Sequence, residues 1–178
     1  MPEGHTMPDA VRVAVARDEI RQLVARYAVA VDSRDLDALI GLFVEDVRVG
    51  REGQGRDALR RSFETSLRGI GVSILHVGTH VIDVLDDDHA TGLVYCNGEV
   101  EDGNRWVHQA IVYRDAYARR EGHWYFVRRV HELFYGVEVS RNPRDQPPAD
   151  WPLHHDGRGT MPESWESWRR FWDAGTGR

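Results

Sequence analysis

From Asp18 the apolar residues Ile20, Leu23, Val24, Tyr27 and Val31 recur every three or four positions. That spacing predicts a helix of about four turns with one buried stripe. Ser33-Arg34-Asp35 interrupts the stripe, and Asp35 is placed to cap a second, short helix with Leu36, Leu39, Ile40 and Phe43 on its inner side. The stretch from Arg48 to Arg56 carries Gly50, Gly53 and Gly55 and reads as a turn between two short strands. Asp57 then opens a third helix with Leu59, Phe63 and Leu67 inward. After Gly71 the period changes from that of a helix to that of a strand. Four strand-like runs follow, Ser73–Leu85, Ala90–Val100, Arg105–Arg119 and His123–Tyr135, separated by Asp86-Asp87-Asp88, Glu101-Asp102-Gly103-Asn104 and Arg120-Glu121-Gly122. Each separator has hairpin-turn chemistry.

Helices first and a meander of long strands after them predict an α+β domain, in which a curved antiparallel or mixed sheet wraps the N-terminal helices as a cone-like α+β barrel. Strands of eleven residues or more must twist and bend, and a bent sheet closed by helices encloses a cavity. The expected organisation is an arm over residues 1–15, the α+β domain over 16–138 and an extension over 139–178. The extension begins with Pro143, Pro147, Pro148 and Pro152 and so starts extended. Thr160 to Glu163 then fits a capping box for a last helix bearing Trp165, Trp168, Phe171 and Trp172, a stripe costly to leave in water.

Composition narrows the partners. The 178 residues are 41% hydrophobic and 29% charged, with 23 Lys+Arg against 29 Asp+Glu for a net charge of −6. Nucleic acid is therefore not the expected partner, since phosphate binding leans on clustered cations. One cysteine, Cys96, cannot build a disulfide or a cysteine zinc site within the chain. No apolar run reaches membrane-spanning length, and the first residues do not read as a secretion signal, so a cytoplasmic, soluble protein is expected.

Several residues could carry chemistry. Asp32 ends the stripe of the first helix, five residues after Tyr27; a carboxylate there is either a helix-end hydrogen-bonding group or a cavity residue. His76 and His80 share parity on one strand and on a regular strand stand ~13 Å apart, too far for one metal ion. With no H-x-H and no H-E-x-x-H motif, no metal and no cofactor is expected. His108 lies mid-strand with Trp106 of the same parity, and Arg128 shares parity with Trp124 and Phe126. If that face is internal, Arg128 is a buried cation in want of a carboxylate or an anionic substrate group.

The order of elements, together with Tyr27-Ala-Val-Ala-Val-Asp32, Leu42-Phe43-Val-Glu-Asp46, His76-Val-Gly-Thr-His-Val-Ile-Asp83, Tyr113-Arg-Asp-Ala-Tyr117 and Gly122-His-Trp-Tyr-Phe-Val-Arg128, resembles the SnoaL-like branch of the nuclear-transport-factor-2-like superfamily. The resemblance covers about residues 15–135. Within it, Tyr27, Asp32 and His76 match the pattern of the bile-acid 7α-dehydratases, and Asp32, His76 and His108 that of the scytalone dehydratases, whose tyrosine before the aspartate is Val31 here. The resemblance implies a cofactor-independent lyase or isomerase (dehydratase, double-bond isomerase or cyclase of secondary metabolism) acting on a hydrophobic polycyclic or aromatic carbonyl compound. Asp32 would support His76 as general base, and Tyr27 or His108 would donate to the developing oxyanion. Phe43, Tyr95, Trp106, Phe126, Arg128 and Phe134 would line the cavity. The fold also implies self-association as a dimer or trimer. The alternative is a non-catalytic scaffold resembling the small subunit of aromatic-ring-hydroxylating dioxygenases, with the tryptophan-rich tail as its interface.

Overall fold

The computed structural model describes residues 9–50 and 53–174. Most of the expected arm and part of the glycine turn therefore lie outside the described residues. Helix α1 runs over Asp9–Asp32, α2 over Leu36–Gly41 and α3 over Arg56–Arg68. Two-residue strands β1 (Arg48–Val49) and β2 (Gly53–Gln54) pair before α3. The long strands β3 (Ser73–Val84), β4 (His89–Asp102), β5 (Arg105–Arg120) and β6 (His123–Glu138) form one antiparallel sheet in the order β3-β4-β5-β6. The architecture is α+β as expected, but the sheet is open and not a closed barrel.

Helix α1 starts at Asp9, nine residues before the Asp18 from which its amphipathic stripe is counted. Ala10, Ala14 and Ala16 are strong helix formers, and up to Arg17 only Ala16 is buried, so propensity carries the first turns and packing the rest. The Asp35 carboxylate accepts the Ala38 N–H at 3.0 Å, which caps α2.

The core forms where the stripe of α1 (Ile20, Leu23, Val24, Tyr27, Val31) and Leu39, Ile40 and Phe43 meet Val94, Cys96, Ile111, Tyr113, Tyr117 and Phe126 of the sheet. Burying a side chain of this size stabilises by about 1.5–3 kcal/mol each. Residues 42–44 extend the sheet locally: Phe126 N–H donates to the Leu42 carbonyl (2.9 Å), and Val44 N–H to the Phe126 carbonyl (3.0 Å).

Two strands change parity along their length. On β3, Val77 pairs with Cys96 and His80 with Val94, so Gly78 and Thr79 together face only Tyr95. On β6, Phe126 pairs with Tyr117 and Arg128 with Ala116, leaving Val127 as an extra residue. A bulge of this kind moves every later side chain to the other face. A second shift on β6 leaves Phe134 extra, between Leu133 and Tyr135.

The tail folds back onto its own domain. Arg144 bridges Glu101 of β4 (Nε to Oε1, 2.9 Å) and Glu163 (Nη1 to Oε1, 2.8 Å). With Glu163 so engaged the expected capping box is not made: a 3₁₀ turn over Pro162–Ser164 leads into α4 (Glu166–Asp173), whose N-cap Trp165 supplies no side-chain bond. Trp168 and Phe171 are buried, the former with Val72 and Trp106 in a second cluster. Trp168 also lies over the Arg34 guanidinium at 4.5 Å.

Candidate functional site

The sheet bulges decide which polar side chains reach the interior. Asp115 of β5 pairs in register with Arg129 of β6, and Tyr113 with His131, on the face that packs against α1. Arg129 makes a two-pronged ion pair with Asp115, Nε to Oδ1 at 2.8 Å and Nη2 to Oδ2 at 2.6 Å. The side chain of Arg129 is 4% exposed and that of Asp115 0%. The guanidinium carbon lies 4.3 Å from the ring centres of Tyr27 and Tyr113 and 4.4 Å from that of Phe126. Rings stacked on a desolvated guanidinium add attraction to the ion pair. Burial works against the charge, but the paired Asp115 more than offsets it and holds the Arg129 pKa above the ordinary arginine value. The guanidinium is thus permanently charged.

Behind this pair the network continues. Tyr117 hydroxyl donates to Asp115 Oδ2 at 2.7 Å, and His80 Nε2 lies 3.2 Å from the same hydroxyl. The single phenolic proton is spent on Asp115, so His80 must donate from Nε2, which assigns its tautomer. Burial lowers the His80 pKa to about 4, and the ring is neutral at pH 7. Gly92 makes room for this contact: a Cβ there would fall 2.7 Å from the Tyr117 hydroxyl and 3.1 Å from His80 Nε2.

One donor is left over. Arg129 Nη1 is buried and has no acceptor in hydrogen-bonding geometry among the described residues. Such an orphan costs about 1–3 kcal/mol, a cost removed when the Tyr27 hydroxyl, which already interacts with Arg129, or a ligand oxygen comes within reach. Arg129 lines a cleft of about 300 Å³ together with Tyr27, Phe43, Phe63, Tyr113, Arg48, Arg128 and His131. The Tyr27 ring packs edge-on against Phe43 (6.4 Å) and Phe63 (6.2 Å), which fixes its place in the wall. Burial raises the Tyr27 pKa, so the phenol keeps its proton as a hydrogen-bond donor. His131 sits at the rim with its ring 5.5 Å from that of Tyr113, and partial burial lowers its pKa below the ordinary histidine value. It is a neutral base at pH 7.

The expected residues distribute unevenly over this geometry. Tyr27, Phe43 and Arg128 line the cleft, and Phe126 lies beneath the Arg129 guanidinium. Asp32 is 8% exposed, as a cavity residue should be, but its partners are the edge of β3: Leu75 N–H donates to Oδ2 (2.9 Å) and Ser73 hydroxyl to Oδ1 (3.2 Å). His76 precedes the β3 bulge, pairs with Asn97 and is exposed on the outer face. Among the described residues no hydrogen bond or ion pair joins Asp32 to His76, whose influence on the carboxylate is only through space. Strand parity predicts that His76 and His80 share a face; the bulge separates them, and His80 is the one that turns inward. His108 pairs with Glu99 on the outer face and is exposed too. Tyr95 and Phe134, 45% and 57% exposed, meet each other at 5.5 Å on that face and do not line the cleft. Trp106 is buried under the tail, with Nε1 donating to Glu99 (2.8 Å). Among the described residues no group of three or more histidine, cysteine or acidic side chains is arranged to hold a metal ion, and no helix is long and apolar enough to cross a membrane.

Burial raises the Asp32 pKa from 3.8 to about 6, against its hydrogen bonds to Leu75 and Ser73. The folded state therefore holds this proton more tightly than the unfolded chain, and stability drains away as pH rises from about 4 to about 6. Asp32→Asn removes that dependence. Allowing for partial solvent contact, the gain of the variant over wild type should grow by about 2 kcal/mol between pH 4 and pH 7.5 in urea unfolding. A difference that stays flat with pH would place the carboxylate in water.

Comparison with known proteins agrees with the fold. A candidate scytalone dehydratase from Novosphingobium aromaticivorans is 19% identical, with 75% of this chain and 93% of that chain covered at a TM-score of 0.65. The hexachlorocyclohexane dehydrochlorinase LinA-type3 of Novosphingobium barchaimii is 20% identical over 74% of this chain and 95% of its own, TM-score 0.65. A candidate aromatic ring hydroxylase of Novosphingobium aromaticivorans is 20% identical over 75% and 96%, TM-score 0.60. At this level of identity the likeness is one of fold. No curated protein matches the sequence. The model of the SnoaL-like domain matches residues 12–130, the greater part of the chain, and the chain therefore belongs to the SnoaL-like family.

Proposed function

We propose that the protein is a cofactor-independent lyase or isomerase that removes a proton beside the carbonyl of a hydrophobic compound held in the Arg129 cleft. The observation that carries this reading is the spare Nη1–H of a buried, permanently charged guanidinium, set among rings and beside a neutral imidazole at the rim. A carbonyl oxygen on Nη1 and the Tyr27 hydroxyl would gain bond strength as it becomes an enolate oxygen, which lowers the barrier to ionisation. His131 takes the proton; the C–H electron pair becomes the new carbon–carbon double bond, and the carbonyl π pair moves to oxygen. When the oxygen pair returns, either a β-hydroxyl leaves as water with the proton from His131, or the proton is delivered to a more distant carbon. The first outcome is dehydration and the second double-bond migration. Dehydratase-type names among the solved structures of the same fold lean the same way.

The exposed outer face with Tyr95, Phe134, Tyr135 and Val137 supports a homo-oligomer, and it is also the surface a scaffold subunit would use. Proton exchange separates the two readings. In heavy water the enzyme should exchange the hydrogens flanking the carbonyl of cyclic ketones, read by NMR, and His131→Ala should slow this by about 10²-fold or more. No exchange above buffer across a panel of such ketones would favour the scaffold.

A further inference from the structure

We propose that the substrate is an organic anion: a one- or two-ring carbonyl compound bearing a carboxylate, held by Arg48 and Arg128 at the mouth while its carbonyl points inward to Arg129. This rests on the assignment of the Arg129 cleft as the site of chemistry and adds the class of compound that enters it. Among the described residues the lining of this cleft includes Arg48, Arg128, Arg129 and His131 but no carboxylate. The chain as a whole carries a net charge of −6. Four other clefts of the described surface each include at least one acidic side chain, among them Asp37, Asp18, Asp46 and Asp35. With Arg129 paired to Asp115 and His131 neutral, the two remaining cations Arg48 and Arg128 face no described carboxylate in the lining, unlike the cations of the other four clefts.

The three arginines are not equivalent. Arg129 is neutralised by Asp115, so its spare N–H offers a hydrogen bond more than net charge. Arg48 and Arg128 make no ion pair with a described carboxylate, and both are exposed at the mouth. Two unpaired guanidinium groups above an aromatic-walled slot fit a molecule with an apolar body and an anionic end. The volume of about 300 Å³ lies at the small end of ligand sites, which sets the body at one or two rings. A carboxylate at the rim would also fix which face of the ring meets His131, since the carbonyl and the acid are held at opposite ends.

The test compares 3-oxocyclohexane-1-carboxylate with its methyl ester, using NMR titration for affinity and deuterium exchange for chemistry. The acid should bind at least tenfold more tightly than the ester at low ionic strength, and the preference should shrink as salt is raised. In the double variant Arg48→Gln/Arg128→Gln, affinity for the acid should fall to that for the ester. Its thermal unfolding should stay near wild type, since both side chains are exposed. Equal binding of acid and ester, failure of the acid to bind at millimolar concentration, or a preference that survives in the double variant would overturn the proposal. Exchange of the ester as fast as the acid, with equal affinity, would leave the proton-abstraction reading standing and remove only the anion.

Discussion

Arg129→Lys is expected to slow proton exchange at the carbon beside a bound carbonyl by about 10²- to 10³-fold while leaving the protein folded, as loss of one preorganised oxyanion donor typically does. The substitution keeps a positive charge beside Asp115, so the buried carboxylate retains a partner. What it loses is the planar fork. The guanidinium directs Nε and Nη2 to the two oxygens of Asp115 and leaves Nη1 free. An ammonium has no rigid plane with which to divide its donors in this way. Because the donor matters most when the oxygen carries charge, the loss should fall on kcat more than on KM. A variant that exchanges at the wild-type rate would show that Nη1 does not meet the reacting oxygen.

The second large effect concerns stability. Asp115→Ala leaves the Arg129 guanidinium charged and unpaired among Tyr27, Tyr113 and Phe126, and leaves the Tyr117 hydroxyl without its acceptor. Breaking a buried pair from one side costs about 3–5 kcal/mol, against a total stability of about 5–15 kcal/mol for a domain. Asp115→Ala/Arg129→Met, which removes both charges and keeps an apolar chain against the rings, should recover most of that loss. Urea unfolding of the two variants and wild type reads the difference. If the double variant were as unstable as the single, the cost would lie in lost packing and not in the stranded charge.

Much of the architecture was legible in the hydrophobic pattern, and the reason is visible in the structure. The stripe Ile20, Leu23, Val24, Tyr27 and Val31 meets the sheet as one face of one helix, and the glycine- and acid-rich separators end the strands within a few residues of their observed limits. The start of α1 is not legible in the pattern because Asp9–Arg17 forms helix without burying a continuous stripe. The capping box of the tail failed because Glu163 is drawn to Arg144, a partner distant in sequence.

The candidate site was legible only in part. The helical stripes of the first two helices point Tyr27 and Phe43 inward, and strand parity does the same for Phe126, which precedes the Val127 bulge. His76 and Phe134 lie at or just before bulges, where parity counted along the chain gives the wrong face. The flip at Gly78-Thr79 exchanges His76 for His80, and the flip at Val127 gives Arg129 the buried place that parity assigns to Arg128, which stays exposed at the cleft mouth. The alternation Tyr113, Asp115, Tyr117 was the signal that could have found the network. An acid between two tyrosines on a core-facing strand demands a cation from its neighbour, and only Arg129 in register satisfies it once Val127 is bulged.

The most direct measurement is a crystal structure of the protein with the cyclic ketone that exchanges fastest. The ketone oxygen should lie about 2.7–3.2 Å from Arg129 Nη1, the distance range of an N–H···O bond, with the carbon that loses its proton facing His131. A ketone bound in the cleft with its oxygen turned away from Arg129, or bound instead at Asp32 or on the outer face beside Tyr95 and Phe134, would contradict it.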